Sequence, residues 1–286
     1  MPIEIVSLSQ LGDMFPVVDL QRNYWGADAE SVVPAHMLFS IITTGGHVLA
    51  AQENGQSIGA VIGLVGYADA PDAHTHSQLY IFSKRMVVLP SYRDEGLGYR
   101  LKMAQRETAL ARGIRQVVWT FDPLLSRNAY LNLRKLGAQA SLYKQDAYGG
   151  YSSGGLSSFG MSDRLYLDWY LDTDGVQARA NQTYTPLTLE NYLEHGYPLL
   201  NLSTLNADGW LVPSVNVLPE VAPICLFEIP SNYPDIEKSD MALAYQWRVH
   251  VRQHLQRLML AGYVVVDFVR GTLKDVTRSF YVLEYR

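Results

Sequence analysis

Residues 87–101, VVLPSYRDEGLGYRL, are the part of the chain whose residue types and spacing can do chemistry. An apolar strand ends at Pro90, and a turn then delivers Arg93, Asp94, Glu95, Gly96, Leu97 and Gly98 into the first turn of a helix. Glycine at 96 and 98 leaves room for a ligand to approach the backbone closely. The unpaired N–H groups and dipole of a helix start favour anionic oxygens there. Arg93, Arg100 and Lys102 are expected to add positive charge around them, so the segment reads as a diphosphate site. A dinucleotide fingerprint would need glycine at position 101, which is Leu101, and no Gly-Lys-Ser/Thr loop is present. What remains is Arg-x-x-Gly-x-Gly behind a strand and a proline.

Other motifs are weaker. Residues 150–154 match GxSxG but lie in a Gly/Ser run, with neither the strand nor the helix of a nucleophile elbow. His250 and His254 stand four apart on a helix without the glutamate of HExxH and among Arg248, Arg252 and Arg257, so a solvated helix face is expected. His74 and His76 have no cysteine or carboxylate cluster beside them, and no metal is expected. Lys84 and Arg85 interrupt an apolar strand. Alternation groups Lys84 with Met86 and Val88, and Arg85 with Val87. They read either as edge charges or as a cation for the carboxylate of a substrate.

The elements that must position these residues follow from periodicity. Residues 3–8 read as a strand, and 9–20 as a helix capped by Ser9. A second helix spans 35–42, and 47–65 form a hairpin turning at Asn54-Gly55. Residues 78–89 are a long strand, 97–112 a helix closed by Gly113, 116–121 a buried strand, and 126–136 a short helix closed by Gly137. This order predicts an α/β unit with a mixed sheet. The run 149–162 is rich in Gly and Ser and reads as a loop or linker, dividing a domain at 1–148 from a C-terminal α/β domain at 163–286. In the second half a strand at 223–229, a helix at 241–261 and a strand at 263–269 repeat the order of the first. The reading is a degenerate internal repeat or the chance recurrence of a common unit.

The 286 residues are 48% hydrophobic and 18% charged, enough to bury a core. A net charge of −5 argues against nucleic acid as a partner. A single cysteine, Cys225, excludes an intrachain disulfide and fits a reducing compartment. With no signal segment or membrane span read from the sequence, the expected address is the cytoplasm, with no membrane partner.

Residues 86–137 resemble the coenzyme-A segment of the GNAT N-acyltransferase superfamily. The likeness rests on Arg93-x-x-Gly96-x-Gly98, the strand 117–121, and the helix SRNAYLNLRKLG at 126–137. More loosely it covers residues 3–146. Lys135, Leu136 and Gly137 fit the end of that helix, but Ala138 stands where the family has Phe. Asn128 lies two places beyond the usual Asn, where this chain has Ser126. The wording around Phe121, Arg127, Asn132 and Ser162 is similar to a less studied GNAT group associated with N-acylamino-acid metabolism, with succinyl transfer in some members.

The resemblance implies a GNAT-like N-terminal domain. It implies acetyl-CoA or another acyl-CoA as co-substrate, and transfer to a primary amine of a small molecule, an amino acid among the options, by direct attack in a ternary complex. The group would be held by Met86, Val87 and Val88 on the strand, by Arg93, Asp94, Glu95, Gly96, Leu97, Gly98, Tyr99 and Arg100 at the helix start, and by Asn128. Tyr130 is the candidate catalytic acid, because the family's later tyrosine slot holds Leu133. Residues 78–88 lack the family's glutamate base, which leaves a water relay, Asp72, His74 or His76. A non-catalytic CoA- or small-molecule-binding module is the alternative, and a homodimer is an open possibility.

Overall fold

The computed structural model describes residues 2–26, 32–68, 78–93, 95–149, 159–219 and 222–286. Asp72, His74, His76, Asp94 and the GxSxG run at 150–154 lie outside the described residues. The chain divides into two compact units. The first comprises Met1–Trp119 and Trp169–Gln177, and the second holds Thr120–Gly150, Ser158–Asp168 and Ala178–Arg286. The division thus falls inside a strand after Trp119, and the helix and strand at 126–144 group with the C-terminal elements. The change in composition lies further along, at the Gly/Ser run 149–162.

In the first unit, β1 (Glu4–Ser7) is followed by α1 (Met14–Trp25), α2 (Ala35–Thr43), β2 (His47–Glu53), β3 (Gln56–Ala68), β4 (Gln78–Val88), α3 (Leu97–Ala111) and the start of β5 (Gln116–Phe121). The strands run in the order β1-β2-β3-β4-β5. The first four are antiparallel neighbours and β4 is parallel to β5, so the sheet is mixed as expected. Asn54 and Gly55 both take positive φ (52° and 78°), which is the twist a two-residue hairpin loop requires. The first helix begins later than expected. Ser9 does not cap it; instead the Asp13 carboxylate accepts from the N–H groups of Ser9 and Gln10 across a short 3-10 turn.

Each face of this sheet has its own core. Met14, Val17, Leu38 and Ile41 of α1 and α2 pack on Val48, Ala50, Ala60, Ile62 and Val87. Leu97 and Leu101 of α3 pack on Leu49, Ala51, Ile58 and Val61, with Met86 and Val88 against them. Full burial of a side chain such as Leu101 is worth about 2 kcal/mol.

The second unit continues β5 into α4 (Ser126–Ala129), β6 (Gln139–Lys144), β7 (Arg164–Tyr170), α5 (Asp174–Ala180) and α6 (Leu189–Glu194). A small ribbon of β8 (Thr204–Leu205) and β9 (Leu211–Val212) precedes β10 (Ile224–Ile229), α7 (Tyr233–Ser239), α8 (Met241–Leu260), β11 (Tyr263–Leu273) and β12 (Val276–Tyr285). Its strands lie in the order β7-β6-β11-β12-β10, with antiparallel pairing throughout. The strand–helix–strand order of the first half recurs as β10, α8 and β11. The pairing differs: β4 and β5 are direct neighbours, whereas β12 lies between β10 and β11.

The interior of this unit holds several charged pairs. Arg248 meets Asp122 through both terminal nitrogens (2.7 and 2.9 Å), Arg278 meets Glu228 (2.7 Å), and Arg134 meets Asp267 (3.1 Å). Arg252 bridges Asp146 and the fully buried Asp163. Breaking one side of such a pair leaves an uncompensated buried charge. The helix face carrying His250 is not solvated as expected: His250 is buried, with its Nε2 2.9 Å from Asn201 Nδ2. Burial and the neighbouring His254 lower its pKa to about 4.

Candidate functional site

The long strand β4 carries a bulge that the sequence does not announce. Its register against β3 runs Gly59↔Val88 to Ile62↔Arg85 and resumes at Gly63↔Ser83, so Lys84 is the extra residue. The expected grouping of Lys84 with Met86 and Val88 is therefore corrected: the bulge shifts the alternation by one. Ser83, Met86 and Val88 turn to the α3 side, while Arg85 and Val87 turn to the α1 side. There the Arg85 guanidinium lies 4.7 Å from the Trp25 ring centroid. Lys84 itself is exposed.

The same bulged stretch has an open edge. The Leu89 N–H donates to Ile58 O at 2.9 Å. Antiparallel alternation then assigns Val87 and Arg85 to the bonded pairs, and turns the N–H and C=O groups of Met86 and Val88 away from β3. On that side β5 pairs with β4 at Ile81↔Val117 and Phe82↔Val118, and among the described residues no pairing follows β4 on to Val88. The edge from Met86 to Val88 therefore offers the N–H groups of both residues and the Met86 carbonyl to an extended ligand, while the Val88 carbonyl accepts from Arg93 (3.2 Å).

Pro90 breaks the strand and opens a 3-10 turn to Tyr92. The Tyr92 hydroxyl donates to Glu53 (2.5 Å), which ties this turn to the end of β2. Gly96 then takes φ +77°, a left-handed conformation that costs glycine nothing, and α3 starts. The first intrahelical bond runs from Arg100 N–H to Gly96 O (3.1 Å), and among the described residues no earlier N–H of the helix has an acceptor one turn back and no side chain caps it.

Two of the cations at this helix start hold main-chain carbonyls, and the third is buried. Arg93 turns back onto the strand, donating Nε–H to Val88 O (3.2 Å) beneath the Tyr24 ring (4.9 Å to the centroid). Arg100 donates to Ile3 O (2.6 Å). Lys102 is corrected outright. It is 2% exposed, and its Nζ donates to Ser83 Oγ (2.9 Å) and Gln105 Oε1 (3.0 Å). Helical spacing explains the error: Lys102, Gln105 and Ala109 recur at three and four residues on the face of α3 turned to the sheet. Burial holds its amine well below the ordinary lysine range. Gln105 passes the chain on to the buried His47 (Nε2···Nε2, 2.8 Å). Burial, with Arg112 and Lys102 nearby, lowers the His47 pKa to about 4. Burial also raises the phenol pKa of Tyr99, with Arg106 opposing it.

Asn128 and Tyr130 belong to the second unit. Asn128 is exposed on the short helix α4. The predicted regular helix over 126–136 instead widens to π geometry over Tyr130–Lys135, with Leu136 N–H donating to Leu131 O (3.0 Å). Single π turns of this kind recur at functional sites. Tyr130 is half-buried, with the Arg270 guanidinium 4.9 Å and the Lys135 Nζ 5.7 Å from its ring centroid. Leu133 is fully buried. Sequence reasoning missed Arg270 because it lies 140 positions from Tyr130 in the chain, with no spacing to connect them.

No group of three or more metal-ligating side chains occurs among the described residues. No helix among them is long and apolar enough to cross a membrane.

Residues 15–137, fewer than half of the chain, match the family model described as the acetyltransferase (GNAT) family. No curated protein matches the chain. Among solved structures, the ribosomal-protein-S18-alanine N-acetyltransferase from Escherichia coli is similar at 15% identity and a TM-score of 0.46, over 61% of this chain and 97% of that one. The IAA acetyltransferase from Bacillus cereus ATCC 14579 is similar at 15% identity and a TM-score of 0.43, over 59% and 99%. A GNAT family acetyltransferase from Elizabethkingia anophelis with acetyl-CoA bound is similar at 16% identity and a TM-score of 0.42, over 59% and 97%.

Proposed function

We propose that this chain is a GNAT-type N-acyltransferase that moves an acetyl or succinyl group from an acyl-CoA to the primary amine of a small molecule, an amino acid among the options. The observation that carries the reading is the open edge of β4 at Met86–Val88, followed directly by the left-handed Gly96 and the uncapped start of α3. The family match over residues 15–137 spans these same residues.

The residues fit an acyl-CoA. Main-chain groups of Met86 and Val88 suit an extended amide-bearing arm by strand addition. The N–H groups of Leu97 and Gly98 suit phosphate oxygens, as helix starts do. Gly96 carries no side chain, and a Cβ there would meet open space, so the approach is clear. Arg93 acts in this reading mainly by holding the Val88 carbonyl and so fixing the end of β4. Asp94, Glu95, Tyr99, Arg100 and Asn128 complete the proposed binding set.

An acyl-CoA supplies an activated thioester. The chain's residues then orient it, and rate comes mainly from bringing two reactants together. A β4 N–H on the open edge can donate to the oxyanion that develops on the thioester carbonyl. The Tyr130 hydroxyl is the proposed proton donor to the departing thiolate. In this reading residues 1–148 form the acyl-CoA domain, and the C-terminal domain shapes the acceptor side.

The second reading, a CoA-binding module without catalysis, is favoured by the absence of a carboxylate anywhere on β4. One experiment separates them. Thiol release from acetyl-CoA and succinyl-CoA is followed against a panel of amines and amino acids, beside calorimetric titration with CoA. Amine-dependent release supports the enzyme, CoA binding without release supports the module, and no binding of CoA removes both.

A further inference from the structure

We propose that Arg270, with Ser126, Ser279 and Ser231 beneath it, forms a carboxylate-binding subsite beside Tyr130. Arg270 stands on β11 directly opposite Ser279 on β12. Its Nη2 donates to Ser126 Oγ at 2.8 Å. Ser126 Oγ is 3.3 Å from Ser279 Oγ, which is 2.7 Å from Ser231 Oγ. Because Ser126 accepts from the guanidinium, its own proton can pass to Ser279 and that of Ser279 to Ser231. This sequence leaves the Ser231 hydroxyl as a donor at the open end of the row. Ser126 and Ser279 are buried, Ser231 is half-buried and Arg270 is exposed, so the buried hydroxyls anchor the guanidinium while the guanidinium itself is accessible.

The charge around this row is one-sided. Elsewhere in the same unit Arg134, Arg248, Arg252 and Arg278 each face an Asp or Glu. Among the described residues Arg270 has no carboxylate partner. Its neighbours are hydroxyls and the rings of Tyr130 and Phe268 (4.9 and 5.9 Å). Lys135 flanks the same Tyr130 ring from 5.7 Å, and Arg127 adds a further positive charge. Partial desolvation, opposed by Tyr130 and reinforced by Arg127, lowers the pKa of the Arg270 guanidinium, the state an incoming anion relieves.

The planar guanidinium fork pairs two donors with the two oxygens of a carboxylate, and the titration below sets that against phosphate. The ligand class is therefore a small organic carboxylate. If Tyr130 works in acyl transfer as proposed, the acceptor is the source, as an amino acid. This last assignment rests on the proposed function, whereas carboxylate binding stands without it.

The test has two arms. In the first, the full chain is titrated calorimetrically with succinate and with inorganic phosphate, in the wild type, Arg270→Gln and Arg270→Lys. Succinate is expected to bind the wild type, to bind Arg270→Gln at least tenfold more weakly, and to bind Arg270→Lys between the two. Should Arg270→Gln fail to fold, Arg270→Lys is read instead, with about a threefold loss expected and equal affinity counting against the subsite. No succinate binding to the wild type, equal affinity in Arg270→Gln, or tighter binding of phosphate overturns the subsite. In the second arm, amino acids and their carboxamides are compared as acceptors of an acetyl group. The acid is expected to be preferred in the wild type and the preference to be lost in Arg270→Gln. An equal effect of the substitution on acid and amide overturns the acceptor assignment. Absence of thiol release with every amine sinks the acyltransferase reading alone, because the succinate titration reads the subsite independently.

Discussion

The ammonium nitrogen of Lys102 lies 3.6 Å from the centroid of the Trp119 ring, inside the first unit, with no carboxylate among its described hydrogen-bond partners. The indole face favours the cation by about 2 kcal/mol, but taking an ammonium out of water costs several kcal/mol. Burial prevails, and the amine is held well below the ordinary lysine range.

Lys102 therefore makes stability rise with pH. Its folded pKa lies below its unfolded value near 10.4, so between the two the unfolded chain binds more protons. The penalty is in full force below the folded pKa and vanishes as pH rises through the unfolded one. Urea midpoints measured from neutral to alkaline pH should increase in the wild type. Lys102→Met, which keeps the length and the apolar stem, should flatten that rise. A wild-type midpoint that falls over the range would contradict the assignment.

Acid acts through His47 and His250, both lowered to about 4 by burial. The unfolded imidazoles take up protons near pH 6.5 and the folded ones do not until about pH 4. Stability is thus lost as pH falls from 6.5 toward 4, by up to about 3 kcal/mol for each ring. Thermal unfolding at pH 7 and pH 4.5 should show the loss. His47→Gln should remove roughly one share of it. The same pH sensitivity in that variant would leave His47 without the part given to it.

Gly63 sits under the His47 ring. A Cβ there would lie 2.4 Å from two ring atoms and 2.8 Å from Ile81. The ring is buried and hydrogen-bonded to Gln105, so it has little freedom to give way. Gly63→Ala is expected to destabilise by about 1–3 kcal/mol, as overpacking of cores does. Chemical denaturation of the variant measures it, and a change below about 0.5 kcal/mol would mean that the ring moves freely.

Tyr130→Phe removes the proposed proton donor and keeps the ring on which Arg270 and Lys135 rest. Turnover should drop about 100-fold or more while CoA affinity stays within about twofold. Steady-state kinetics beside a CoA titration reads both. An unchanged turnover number takes Tyr130 out of the chemistry.

Much of the frame was legible because it follows from local rules. The Asn54-Gly55 hairpin, the stop at Pro90 and the glycine before α3 are backbone statements, and the structure has each of them. The bulge at Lys84 was not legible, since no glycine or proline marks it and the charged pair Lys84-Arg85 reads equally as edge residues of a regular strand. A lysine on a helix reads as solvent-facing by default. Only the packing of α3 on the sheet puts Lys102 inside, beside Ser83.

Residue order alone thus determined the mixed α/β class and the strand–turn–helix around residues 86–100. Those features depend on neighbours a few positions apart, which pattern reports. Tertiary structure alone decided which edge of β4 lies open, which cations are buried, and that Arg270 comes to rest on Tyr130 from a strand far along the chain. Contacts between distant segments depend on how strands are paired, and no local preference of either residue encodes that.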